Sequence, residues 1–385
     1  MPEIYLDNSA TTRPLEAVIE LMQQIYRSAY GNPSSLHAKG VEAERLLKEA
    51  RARLASLLNS REDEIIFTSG GTESNNQAIK GAALRHRRRG NHIITTAIEH
   101  PSVLNSCRYL ESLGFKVTYL PVDSAGYIDL GELQRLVGEQ TVLVTLAHVN
   151  SEIGTIQPLR EIGAIIKERN PATLFHVDGV QSFGKLPVDL AQWQADLFSF
   201  SSHKIHGPKG VGALWVKRKT LLQPLLHGGD QEGTLRPGTE NVPGIAGFGL
   251  AAVMAAENMA ASAAAVRELK QLLYRELVQA GLEVELNGPP LAEGSPYIIN
   301  LSFRGVMAET LLHALEGEGV FASSGSACHS RRPEPSHVLQ AIGVKQEGLT
   351  GALRFSFSRF NTTAEVAAAS AVTAKAVREL FNTAR

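Results

Sequence analysis

From Glu64 onward the chain alternates between short, nearly unbroken runs of β-branched and apolar residues and longer stretches with helical period. The runs fall at residues 65–67, 93–96, 117–120, 142–146, 174–177 and 197–200. Strands that are apolar throughout, rather than at every second residue, are buried on both faces. Their separation by helices predicts a parallel or mostly parallel sheet between helical layers. Ahead of this block, residues 15–27 and 41–59 read as helices. In the second, Leu46, Leu47, Ala50, Leu54, Leu57 and Leu58 share one face with Glu and Arg opposite. The pattern changes past Gly244. An Ala-rich helix over 246–265, a second over 267–280, a strand at 297–303, a helix at 308–316 and an alternating strand at 353–357 form an α+β pattern. Thr362 and Glu365 then have capping-box spacing for a last helix. The expectation is an α/β protein whose large domain spans 16–255, with a smaller α+β domain built from 1–15 and 256–385.

In parallel sheets ligands sit beyond the carboxyl ends of the strands. Directly after the predicted runs stand Ser69-Gly70-Gly71-Thr72, Glu99-His100, His148-Val149-Asn150, Asp178-Gly179-Val180-Gln181 and Ser201-Ser202-His203-Lys204. Five polar clusters at five strand ends converge on one crevice if the sheet is parallel.

Composition narrows what the crevice serves. With a net charge of -1 over 385 residues, no global field draws nucleic acid or an anionic membrane surface, so neither direct nucleic-acid binding nor membrane association is expected. The opening residues, Met1 to Asp7, lack the basic and apolar regions of a signal peptide, and no uncharged apolar stretch is long enough to span a bilayer, which predicts a cytoplasmic protein. Two cysteines, Cys107 and Cys328, exclude a disulfide framework and a cysteine-cluster metal site, and no metal is expected. Cys107 lies between Leu104 and Leu110 on a helical pattern and reads as a core residue. Cys328 has small polar neighbours, Ser323-Ser324-Gly325-Ser326-Ala327, and reads as a thiol in a loop.

Each cluster taken singly has two readings. The strand–Gly70-Gly71–helix turn presents free backbone N–H groups to an anion, but is also an ordinary tight connection. Asp178, ending an apolar strand, needs a partner such as a protonated ring nitrogen, or else caps the next segment. Lys204 at a strand end is placed to form a Schiff base with a carbonyl cofactor, or is a surface lysine.

Taken together, the order phosphate turn, His100, Asp178, Lys204 resembles the fold-type I, class V family of pyridoxal-phosphate enzymes. Within it the chain is similar to the cysteine desulfurases of the NifS/IscS-like group. The phrases that carry the resemblance are Tyr5-Leu6-Asp7-Asn8-Ser9-Ala10-Thr11-Thr12, Gly31-Asn32-Pro33-Ser34-Ser35-Leu36-His37, Thr68 to Asn75, His148 to Gly154, His176 to Ser182, Ser202 to Gly210 and Ser323 to Cys328. The resemblance implies a sheet of the seven-stranded type and pyridoxal 5'-phosphate as cofactor. Lys204 would hold the cofactor covalently, with Asp178 on the pyridine nitrogen and His100 stacked on the ring. Asn150 and Gln181 would contact the ring hydroxyl or the substrate. Gly71, Thr72, Ser201 and His203 would hold the phosphate, joined by Thr239 from a second subunit, so that the active form is a homodimer. Asn8, Asn32, Asn150 and Arg354 would bind the substrate, L-cysteine. The implied reaction yields L-alanine, with Lys204, His100 and Cys328 catalytic. Cys328 would sit on a mobile loop at about 322–335 and take the sulfur as a persulfide for an acceptor protein in iron–sulfur cluster or thio-cofactor synthesis. A selenocysteine lyase, a cystine C–S lyase or an aminotransferase is the alternative on the same scaffold. This chain departs from the family pattern in having Ser151 after Asn150 and His329, Arg331 and Arg332 after Cys328.

Overall fold

The computed structural model describes residues 3–324 and 335–383. Cys328, His329, Arg331 and Arg332, and most of the predicted 322–335 loop, lie outside the described residues.

The first part of the chain runs β1 (Ile4–Tyr5), α1 (Glu16–Ser28), α2 (Ala38–Leu57), β2 (Ile65–Thr68), α3 (Gly71–His86), β3 (His92–Thr96), α4 (Pro101–Ser112), β4 (Lys116–Leu120), α5 (Leu130–Leu136), β5 (Thr141–Ala147), α6 (Leu159–Arg169), β6 (Leu174–Asp178), β7 (Leu197–Ser201) and β8 (Gly212–Val216). Strands β2 to β8 form a seven-stranded sheet in the order β2-β8-β7-β6-β5-β3-β4. Every neighbouring pair is parallel except the two that β8 makes. The six apolar runs are therefore six mutually parallel strands, and β8 is the element that the apolar pattern did not single out. Its direction follows from its connection: the Gly207–Gly210 loop is too short for a crossover, so the chain returns antiparallel beside β7. Helices cover both faces. Phe175, Phe198 and Phe200 pack with α1, α2, α6 and α7 (Val242–Glu257) on one side. Leu143, Leu197 and Leu214 pack with Ile79 and Ala83 of α3 and Cys107 and Leu110 of α4 on the other.

The rest of the chain is α7, α8 (Met259–Gln279), β9 (Val284–Asn287), β10 (Ile298–Phe303), α9 (Ala308–Gly317), β11 (Val320–Phe321), β12 (Ser323–Ser324), α10 (His337–Ala341), α11 (Gln346–Thr350), β13 (Ala352–Ser356) and α12 (Thr363–Thr383). A four-stranded antiparallel sheet, β12-β13-β10-β9, shares a second core with α8, α9 and α12, while β1 pairs with β11. The alanine-rich region is not one helix over 246–265. It breaks at Asn258, where α7 and α8 meet at 71°. Alanine supplies helix propensity along the whole stretch, but α7 is buried against α1 and α2 and α8 against α12, so packing fixes the bend. Thr362 and Glu365 form the expected reciprocal cap: Thr362 N–H donates to Glu365 Oε2 at 2.7 Å and Glu365 N–H to Thr362 Oγ1 at 3.2 Å. Among the described residues no single helix is long and apolar enough to cross a membrane.

Candidate active site

Because β2, β3, β5, β6 and β7 are parallel, their carboxyl ends open on one side of the sheet, and a cavity of about 740 Å³ lies there. Gly71 and Thr72, His100, Asn150, Asp178 and Gln181, and His203 and Lys204 all line it. The small sheet closes it with Arg354 of β13, the N-terminal segment with Ser9 and Ala10, and the approach to α10 with Pro335, Ser336 and His337.

Lys204 ends a short turn directly after β7. Its ammonium donates to the carbonyls of Ser9 at 2.5 Å and Ala10 at 2.7 Å. Those carbonyls are presented because Thr12 ties the segment back to the same turn: its backbone N–H and its hydroxyl both donate to the His203 carbonyl. Gln181 donates from Nε2 to the Ser9 carbonyl at 2.9 Å and accepts from Lys185 Nζ at 3.4 Å. Burial, then the charges of Lys204 and Arg354, push the Lys185 ammonium down to about 7.

Asp178 is almost fully buried. Its Oδ1 accepts from Val180 N–H at 3.0 Å and its Oδ2 from Asn75 Nδ2 at 2.7 Å. His100 caps α4, its Nδ1 accepting from Ser102 N–H. Burial lowers its pKa, the Asp178 charge opposes that, and Lys204 and His337 add to it. His203, beside Thr11, is pushed down to about 3 by burial and by Lys204, Lys209 and Lys185. Two carboxyls on the cavity wall, Glu99 buried and Glu152 half-buried, move the other way. Glu99 is raised to about 8, chiefly by burial, and Glu152 to about 7 for the same reason. Asn150 is turned inward, accepting from Glu152 and Ile153 N–H and donating to the Ile98 carbonyl.

Arg354 is 6% exposed. Nη2 pairs with Asp7 Oδ1 at 2.8 Å, Nη1 donates to the Ser151 carbonyl at 3.1 Å, and Nε is buried without a partner. A fork fixed on two sides with its Nε–H unspent is suited to a carboxylate.

Four sequence-predicted residues are not on the cavity wall. Asn8 spends its amide on the Tyr5 and Ser356 carbonyls and braces the N-terminal segment against β13. Asn32 is exposed, its side chain closing a turn onto Ser34 N–H. Thr239 is exposed. Ser201 stands behind the wall: its Cβ would lie 3.8 Å from a Cβ placed on Gly71, and its hydroxyl is buried without a partner. Conversely, Asp7, Asn75, Glu99, Ser102, Glu152 and Lys185 surround the site without having been assigned a role. Asp7, Asn75 and Glu152 fall inside the family-like phrases, which was the available signal. Ser102 and Lys185 carried none.

A lysine amine, a buried carboxylate, an imidazole and a helix N-terminus around one cavity at the strand ends define a site for a phosphorylated carbonyl cofactor. The chain matches the aminotransferase class-V family model over residues 4–368 and belongs to that family. It is 45% identical over 360 residues to the cysteine desulfurase IscS of Dictyoglomus turgidum, covering 94% of this chain and 91% of that one. Among solved structures, a NifS-like protein superposes with a TM-score of 0.91 at 41% identity, covering 97% and 98% of the two chains. SspA, solved in complex with cysteine, superposes with a TM-score of 0.82 at 35% identity, covering 93% of this chain and 99% of that one.

The fold is that of the fold-type I pyridoxal-phosphate enzymes, and the cofactor is pyridoxal 5'-phosphate. The residues present fit it. The partnerless Ser201 hydroxyl lies beside Gly71, where α3 offers the unspent N–H groups of its first turn, which suits a phosphate. Asp178, with both oxygens held as acceptors, suits a ring N–H.

Proposed function

We propose that the chain is a cysteine desulfurase, converting L-cysteine to L-alanine and passing the sulfur to Cys328 as a persulfide. The observation that carries this reading is that the Lys204–Asp178–His100 cavity meets the chain on both sides of Cys328. Ser323 pairs in register with Arg354, and Pro335 to His337 line the cavity wall.

Gly71, Thr72 and His203, with the Ser201 hydroxyl behind them, would hold the phosphate; Asp178 would hold the protonated ring nitrogen, His100 would stack on the ring, and Asn150 and Gln181 would serve the ring hydroxyl or the substrate. When bound, pyridoxal phosphate supplies an electron sink that acidifies the Cα–H of an amino acid joined to it. Arg354 grips the substrate carboxylate and so orients Cα toward Lys204. The Lys204 amine moves the Cα proton. The Cys328 thiolate attacks the substrate sulfur: an S–S bond forms, the Cβ–S bond breaks, and its electron pair stays with carbon, which takes up protons to leave alanine. The balance is cysteine plus thiol giving alanine plus persulfide.

The active form is a homodimer in which the exposed Thr239 reaches the phosphate in the other subunit. Residues 16–255 form one domain, and 1–15 with 256–385 the other. The enzyme works in the cytoplasm, and the persulfide is discharged to an acceptor protein for iron–sulfur cluster or thio-cofactor synthesis. Incubation with labelled cysteine, following free alanine and the mass of the Cys328 peptide, tests the reading. One added sulfur on that peptide is expected. Cys328→Ala should form no alanine while the Lys204–cofactor absorbance persists; full turnover by that variant would overturn the assignment.

A further inference from the structure

Asp178 ends β6 and His100 caps α4 after β3, yet they are joined along the cavity wall by two further side chains. Asn75, 1% exposed in the first turns of α3, donates from Nδ2 both to Asp178 Oδ2 at 2.7 Å and to Ser102 Oγ at 2.9 Å. Ser102 Oγ lies 2.8 Å from His100 Nδ1.

The direction of every proton in this chain of contacts is fixed by chemistry. The Asp178 carboxylate only accepts, so the amide nitrogen of Asn75 must face it. The opposite orientation would set a carbonyl oxygen against a carboxylate oxygen. The consequence is visible at the other end of the amide, where Asn75 Oδ1 is buried without a partner. Both amide hydrogens are then spent, one on each neighbour. Ser102 Oγ receives one of them and turns its own hydrogen to His100 Nδ1. That nitrogen also accepts from Ser102 N–H at 3.1 Å, so it cannot carry a hydrogen itself. The ring proton is left on Nε2.

We propose that Asn75 and Ser102 are positioning residues, forming a buried relay from Asp178 to His100 that holds the imidazole neutral, with its proton on Nε2. The inference rests on the placement of the cofactor between Asp178 and His100 given above. Asp178, which holds the ring nitrogen, thereby also sets the proton position of the imidazole over the ring. His100 cannot take up a second proton without breaking a donor contact at Nδ1. The groups whose charges face His100 are Asp178 from the end of β6, Lys204 after β7 and His337 of α10, with Glu99 next to it in sequence.

The test is 15N NMR of the histidine side chains in the cofactor-loaded enzyme, with the His100 signal assigned by its loss in His100→Gln. In the wild type His100 should show the Nε2–H tautomer. Ser102→Ala removes one donor that favours the neutral ring and should raise the His100 titration midpoint by about half a unit to one unit. Asn75→Ala, which does not touch His100, should raise it in the same direction, and the double variant should go no further than Ser102→Ala alone. Ser102→Thr, which keeps the hydroxyl, should titrate like the wild type. An unchanged midpoint in Ser102→Ala, no effect of Asn75→Ala in a folded protein, or additive shifts in the double variant would each overturn the relay. None of these readouts requires turnover of cysteine, so a failed desulfurase assay and a failed relay are told apart.

Discussion

Lys185 offers a test of how charge is arranged behind Lys204. Its side chain is buried, 8% exposed, with a 3.4 Å contact to Gln181 Oε1 and its ammonium 5.7 Å from the Tyr297 ring centre. The named charges that act on it, Lys204 and Arg354, are cationic, and burial followed by these two lowers it from 10.5 to about 7. The unfolded chain keeps the lysine proton up to about pH 10.4, whereas the folded chain releases it near 7. Between those values the unfolded state binds more protons, so stability rises with pH. At about 1.4 kcal/mol per pH unit, and allowing for partial titration at the lower end, Lys185 should add about 2 kcal/mol of stability between pH 7 and pH 9. Lys185→Met keeps the length of the side chain and removes the titration. The assay is urea unfolding of wild type and variant at pH 7, 8 and 9. Because groups such as Lys270, which burial lowers to about 8, titrate alike in both proteins, the difference between them isolates Lys185. The variant should gain on the wild type at pH 7 and lose about 2 kcal/mol of that advantage by pH 9. A difference that is flat with pH would show that Lys185 holds its proton in the folded enzyme and would refute the reasoning.

Three further outcomes follow from other parts of the fold. Cys107 is buried, and burial foremost pushes its thiol up to about 12; it should resist alkylation in the native protein and react in urea, and Cys107→Ala should retain desulfurase turnover. Glu232 is buried at a left-handed position with φ 46°, where its carboxylate binds Arg51 through contacts of 2.9 and 2.6 Å and caps the Phe67 N–H of the edge strand β2. Glu232→Gln leaves the Arg51 charge without its partner and should cost about 3 kcal/mol in urea unfolding, since breaking a buried pair on one side costs roughly 3–5 and Arg51 is partly exposed. A Cβ on Gly71 would meet Val180 Cγ2 at 2.6 Å, so Gly71→Ala must displace Val180 next to Gln181; cofactor affinity measured by equilibrium dialysis should fall by about tenfold, as expected for roughly 1.4 kcal/mol of overpacking.

What could be read from the sequence was whatever a one-dimensional rule places in space. Six apolar runs gave six parallel strands, and the carboxyl-end rule then brought Gly71, His100, Asn150, Asp178 and Lys204 to one cavity without any knowledge of strand order. The rule says where a residue emerges and nothing about what its side chain does there. Asn8 and Asn150 stand in equally suggestive phrases, but main-chain groups draw off both amides: the Tyr5 and Ser356 carbonyls take that of Asn8, and the Ile98 carbonyl with the Glu152 and Ile153 N–H groups takes that of Asn150, although Asn150 still lines the cavity. β8 escaped because its direction is set by a short glycine loop rather than by an apolar run distinct from its neighbours. Asn75 and Ser102 escaped for a related reason. Each lies on a helix, set there by helical rotation rather than by a strand end, and they meet only because α3 and α4 pack side by side on the same face of the sheet. A strand end can be located from a run of valines and isoleucines, whereas a contact between two helices exists only after the sheet beneath them has set their spacing. The residues that line the cavity at the strand ends were therefore largely legible, and the contact between Asn75 and Ser102 became visible only when the packing of α3 on α4 was known.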